Sequence, residues 1–237
     1  MNSSLTDRIE WLDRPGGRIS YTVSGAGPLV VAVPGMGDLR SSYRELVEPL
    51  VAAGFRVAVT DVRGHGDADT GFVEHGDEAT AGDLLALIEE LGGPAVVIGN
   101  SFGGSAAVLA ASRRPRAVSG LVLLSPFLRE RGSRAAAAAG RLLYRALLAR
   151  PWGAAVWARY YAGPLNAGRH APWLPEQVAA IRSSFSEPRR LTELRRLAVR
   201  LDHSVVEPVL GSVRAPALII VGALDPDYRD PRAELDW

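Results

Sequence analysis

Apolar residues recur along this chain in two rhythms. Short unbroken runs rich in β-branched residues stand between Gly and Pro: "PLVVAVP" (28–34), "RVAVTD" (56–61), "AVVIG" (95–99), "VSGLVLLSP" (118–126) and "APALIIVG" (215–222). Continuous runs of this length predict strands buried on both faces, as in a parallel sheet. Between them, "YRELVEPLVAAG" (43–54), "EATAGDLLALIEELGG" (78–93) and residues 102–113 carry helical spacing, and the first two stop on glycine. Upstream, "RIEWLD" (8–13) and "GRISYTVSG" (17–25) alternate around "RPGG" and read as a hairpin. Strands alternating with helices predict an α/β fold: a mostly parallel sheet with crossover helices.

The alternation lapses between Pro126 and about Pro208. Helical stretches such as 134–150 and 187–201 fill this region, with Trp152, Trp157, Tyr160, Tyr161 and Trp173 between them. The expected organisation is a core of 1–126 plus 206–237, with 127–205 inserted as a helical cap. The arginines of 134–150 read as the solvated face of that cap, their stems lying over apolar surface.

Composition narrows the function. A formal charge of +1 over 237 residues gives no electrostatic reason to expect nucleic acid. Cysteine is absent, which excludes disulfides, thiolate metal sites and a thiol nucleophile. The first residues lack a basic segment followed by an apolar one, and no apolar run approaches the ~20 residues of a membrane span, so a cytoplasmic protein without membrane contact is expected.

Chemistry enters at "VVIGNSFGGSAAVLAA" (96–111), where a strand ends, a serine stands between two glycines, and a small-residue helix begins. "GNSFG" (99–103) fits the G-x-S-x-G elbow, in which a strained turn lifts the serine Oγ clear of the sheet beside the free N–H groups of a helix N-terminus. A plain helix cap at Ser101 is the competing reading.

With this elbow, the chain resembles the α/β-hydrolase fold family from about residue 8 onward. "VPGMGD" (33–38) matches the loop after the third strand, with Pro34 where relatives usually carry histidine. The resemblance implies an oxyanion hole from the backbone N–H groups of Met36 and Phe102. "DVRGHGDAD" (61–69) is similar to the family's D-x-R-G-x-G segment, and His65 within it is expected to be structural. "VGALDPDYRDP" (221–231) matches the loop of the triad acid, which implies Asp225, with Asp227 as fallback.

In this fold the triad histidine follows the acid, after one more strand. No histidine follows His203 in the sequence, and Asp225 stands close to its last residue, Trp237. The expectation is therefore a sheet lacking its last strand and helix, an exposed apolar edge able to self-associate, and impaired turnover. None of His65, His75, His170 and His203 matches the family position. His75 is expected to be solvated; His170 and His203, in or near the cap, leave a substitute base open.

The function implied is a cofactor-independent and metal-free serine hydrolase. It would cleave ester-like or related carbonyl compounds with an apolar portion through an acyl-enzyme on Ser101. The alternative is a non-catalytic ligand-binding or interaction protein on the same scaffold.

Overall fold

The computed structural model describes residues 8–130, 132–167 and 171–236. A hairpin opens the chain, with β1 (Glu10–Arg14) antiparallel to β2 (Gly17–Ser24). Then come β3 (Leu29–Val33), α1 (Arg44–Ala52), β4 (Arg56–Thr60), α2 (Asp77–Glu90), β5 (Ala95–Asn100), α3 (Phe102–Arg113) and β6 (Val118–Leu124). After a four-helix excursion the chain returns as β7 (Ala217–Ile220). The seven strands lie in the order β1-β2-β4-β3-β5-β6-β7, parallel from β4 to β7, as the strand–helix alternation predicts.

All five residues of β3 are buried because both faces of the sheet are covered. Successive side chains point to opposite sides. Val31 and Val33 join the cluster beneath α2 and α3, with Leu84, Leu87, Phe102 and Ala106. Val30 and Ala32 join the opposite one with Tyr43, Val57 and Val59. β7 differs. It pairs with β6 along one side, and Leu218, Ile219 and Ile220 stay open to solvent.

The excursion consists of α4 (Arg134–Leu147), α5 (Gly153–Ala162), α6 (Leu174–Ser186) and α7 (Pro188–Arg200). Trp157, Tyr161, Leu174, Ile181, Phe185, Leu191 and Leu194 give it a core of its own, into which Leu39 of the sheet domain inserts.

Buried polar contacts fasten the cap to the sheet domain, among them two groups around carboxylates with shifted pKa values. At the first, Trp157 Nε1–H donates to Gly37 O at 2.8 Å, with the indole lying where a Cβ on Gly37 (φ +71°) would have to sit. Beside it, the Asp38 carboxylate accepts from Tyr161 OH at 3.1 Å and from Gln177 Nε2 at 2.7 Å. Burial pushes the Asp38 pKa up to about 6, against the pull of hydrogen bonds from Leu39 N–H, Gln177, Tyr161 and Ser42. At the second, Glu193 of α7 meets His75 Nε2 at 2.8 Å and accepts from Gly71 N–H. Burial by itself would raise the Glu193 pKa; the hydrogen bonds from His75 and Gly71 and the charges of His75 and Arg196 outweigh it, and the net shift is downward. The expectation that His75 is solvated is therefore corrected. Its side chain is 1% exposed, because α7 closes over a loop that looks polar and exposed in sequence.

Gly37→Ala should displace Trp157, since a methyl group there meets the rigid indole and the backbone conformation is one that L-residues rarely adopt. A loss of about 1–3 kcal/mol is expected from overpacking, read as a lower melting temperature together with a changed tryptophan emission. Asp38→Asn should alter how stability depends on pH. A carboxyl group whose folded pKa lies above its unfolded value costs nothing at pH below about 4 and destabilises increasingly as pH rises to about 6. The Glu193 contribution has the opposite sign and is common to both proteins. Denaturant titrations should therefore show the variant gaining on the wild type between pH 4 and 6, by on the order of 2–3 kcal/mol. A pH-independent difference would contradict this account.

Candidate active site

Strand register assembles the site. Val33 pairs with Gly99, Asn100 with Leu124, and Leu124 with Ile220. The carboxyl ends of β3, β5, β6 and β7 thus reach one edge of the sheet, and the segments that follow them, at residues 34–38, 101, 125–130 and 221–227, meet there. Crevices for ligands form at this edge in open α/β sheets.

Ser101 occupies the turn between β5 and α3 with φ 54° and ψ −126°. Ser125, just after β6, has φ 47°, and these two are the only non-glycine residues with positive φ among those described. Strain concentrated at one cleft is the usual mark of a site whose surroundings over-determine it. A Cβ on Gly99 would lie 2.5 Å from Gly103 O, and one on Gly103 would lie 2.8 Å from Pro34 O. Only hydrogen fits at both positions, as the elbow motif requires. The Ser101 side chain makes no capping hydrogen bond to α3, so the plain-cap reading fails.

The loop after β3 is held from below. Buried His65 accepts the Gly37 N–H at Nε2 (3.2 Å) and bonds Arg63 O through Nδ1 (3.0 Å). This arrangement needs the neutral ring with its proton on Nδ1, and burial, which pushes the pKa down to about 4, favours that form. His65 is structural, as expected. Phe102 is the first residue of α3, so its N–H has no intrahelical acceptor. The Met36 N–H has no backbone acceptor among the described residues.

A cleft of about 800 Å³ opens above this edge, between sheet and cap. Gly35, Met36, Ser101, Asp225 and Asp227 all line it, so the structure brings together the residues that the motifs pointed to separately. The Phe102 side chain is buried in the core below. Asp225 accepts the Asp227 N–H at 2.9 Å, while Asp227 accepts from Tyr160 OH at 3.3 Å. Burial first, and then the Asp227 charge, raise the Tyr160 pKa.

Of the five aromatic residues named from sequence, Trp157, Tyr160 and Tyr161 line the cleft. Trp152 is half exposed and Trp173 stacks against Arg44, both away from it. His203 also lines the cleft, on the side of α2, whereas His170 lies outside the described residues. Sequence reasoning did not single out Asp38, Tyr144 or Ser125, which line it too. Asp38 stood inside a quoted motif, but its cap partners are more than a hundred residues away and no local signal reveals them. Among the described residues there is no cluster suited to a metal ion, and no helix is long and apolar enough to cross a membrane.

Comparison with known proteins agrees with this architecture. An epoxide hydrolase of Caballeronia sordidicola is 33% identical over 133 residues, which is 51% of this chain and 39% of that protein. The chain spans less than half the length of the curated relatives it matches. Epoxide hydrolase A from Mycobacterium thermoresistibile superposes with a TM-score of 0.78 at 23% identity, over 97% of this chain and 88% of that one. A thermophilic esterase from Thermogutta terrifontis does so with a TM-score of 0.72 at 24% identity, over 92% and 82%. The family profile described as serine aminopeptidase, S33 (Hydrolase_4) matches residues 26–226. With the seven-stranded sheet and the glycine-flanked elbow, that match shows that the chain belongs to this family of α/β-hydrolases.

Proposed function

We propose that the protein is a serine hydrolase that cleaves ester-like carbonyl compounds through an acyl-enzyme on Ser101. The observation that carries the reading is the strained Ser101, which makes no capping hydrogen bond and lines the cleft at the N-terminus of α3. Ser101 Oγ would attack the carbonyl carbon. The N–H groups of Met36 and Phe102 would receive the developing oxyanion, where a single donor is worth roughly 3–4 kcal/mol in a studied serine protease. Asp225 is the carboxylate at the family's acid position. Apolar walls from Met36, Trp157 and Leu165 fit a substrate with an apolar portion.

Relatives named as epoxide hydrolases and as esterases share the fold, and the nucleophile separates the two chemistries for this chain. Attack of a serine Oγ on an epoxide carbon leaves an alkyl ether, which water does not cleave under these conditions. Attack on an acyl carbon leaves an ester, which it does. Serine at the elbow therefore supports acyl transfer.

Ser101→Ala should abolish covalent labelling by a fluorophosphonate and lower p-nitrophenyl butyrate hydrolysis by at least about 10³-fold, with the melting temperature unchanged, since alanine keeps the Cβ in the same strained turn. Intact-mass measurement and initial rates read both. An unlabelled wild type that still binds the ester would instead favour the non-catalytic binding protein.

A further inference from the structure

Asp77 and His203 meet at the wall of the same cleft. Asp77 is the first residue of α2 and is 3% exposed. Its two carboxylate oxygens lie 3.2 and 3.1 Å from His203 Nδ1, and Oδ2 has no hydrogen-bond donor among the described residues apart from this contact. A buried carboxylate against one ring nitrogen keeps the proton on Nδ1 and leaves Nε2 as the basic atom. Stacking on Phe127, with centroids 4.9 Å apart and planes 21° from parallel, fixes the ring orientation. Phe127 is itself tied to α3, because its carbonyl accepts from Ser105 Oγ at 2.5 Å, one helical turn beyond Ser101. Nε2 has no protein partner among the described residues, and the imidazole shares the cleft with Ser101.

We infer that His203, oriented by Asp77, is the proton carrier for Ser101. The inference rests on the acyl-transfer reading above. Nε2 takes the Ser101 hydroxyl proton, directly or through one water, as the Oγ–C bond forms and the carbonyl electron pair moves to oxygen. That pair returns as the bond to the leaving oxygen breaks, and the leaving oxygen takes the proton from Nε2. Water then gives a proton to Nε2 and its oxygen to the acyl carbon; the C–Oγ bond breaks and Oγ recovers the proton. Asp77 neutralises the imidazolium that exists between these transfers. The other charges on this side are Asp202, beside His203 in the chain, and Arg141 of α4, which lines the cleft and acts on Asp202. Glu130 lines the cleft as well.

The test measures p-nitrophenyl butyrate hydrolysis and fluorophosphonate labelling of Ser101 between pH 5 and 9. His203→Gln, which keeps a donor for Asp77, and His203→Ala should each lower kcat/KM and the labelling rate by about 10²–10⁴-fold and remove the acid limb of the profile. Added imidazole should restore part of the rate to His203→Ala. Asp77→Asn should lower kcat with little change in KM. If Ser101→Ala is inactive while both His203 variants keep the wild-type rate and pH profile, the inference is overturned and the serine reading stands. If Ser101→Ala retains the wild-type rate, the acyl-transfer reading falls, and the inference with it. His203→Ala that loses activity without imidazole rescue and melts well below the wild type also counts against the inference, since it marks a structural ring.

Discussion

The site depends on how little space exists around the turn from β5 to α3. Gly103 brings the backbone of α3 against Val33 O and Pro34 O, and Gly99 brings β5 against Gly103 O. At these distances the end of β3, the elbow and the first turn of α3 are one packed unit. Interiors at this density do not deform gradually. The strain at Ser101 is therefore imposed by its neighbours, and the loop carrying Met36 is placed relative to Ser101 by the same contacts. Register does the rest, because parallel strands paired from Val33 through Ile220 must deliver their following segments to one edge.

Cap and sheet domain are joined by an apolar interface that carries a few buried polar groups, and these titrate in opposite senses. Asp38 is held in a dry environment that favours its neutral form, with Tyr161, Gln177 and Leu39 supplying hydrogen bonds that soften the cost. Glu193 is buried too, yet faces His75 and Arg196, whose charges favour the carboxylate. The same desolvation therefore leads to different outcomes according to what each group faces. Asp38 follows Met36 and Gly37 in the loop after β3 and bonds directly to the cap, so the cap and that loop share one set of contacts, with Trp157 on Gly37 at its centre.

The sequence by itself determined the strands, the crossover helices and the elbow. Their signals are local: runs of β-branched residues, a 3.6-residue period, and glycine where no side chain fits. Ser101, with Phe102 after it, and the loops holding Met36 and Asp225 were legible for the same reason, since each segment follows a strand and parallel pairing sends all such segments to one edge. The tertiary structure alone decided which distant residues meet. His75 lies in a polar stretch that any local reading leaves in water, and α7, more than a hundred residues later, buries it against Glu193. Trp152 and Trp157 stand five residues apart in similar surroundings, yet the docking of α5 turns one into the cleft and leaves the other half exposed. Asp77 and His203 carry no sequence signal as a pair, because their contact arises only when the end of the cap returns past the start of α2. Side-chain pairing across such separations is set by packing, which composition and periodicity do not encode locally.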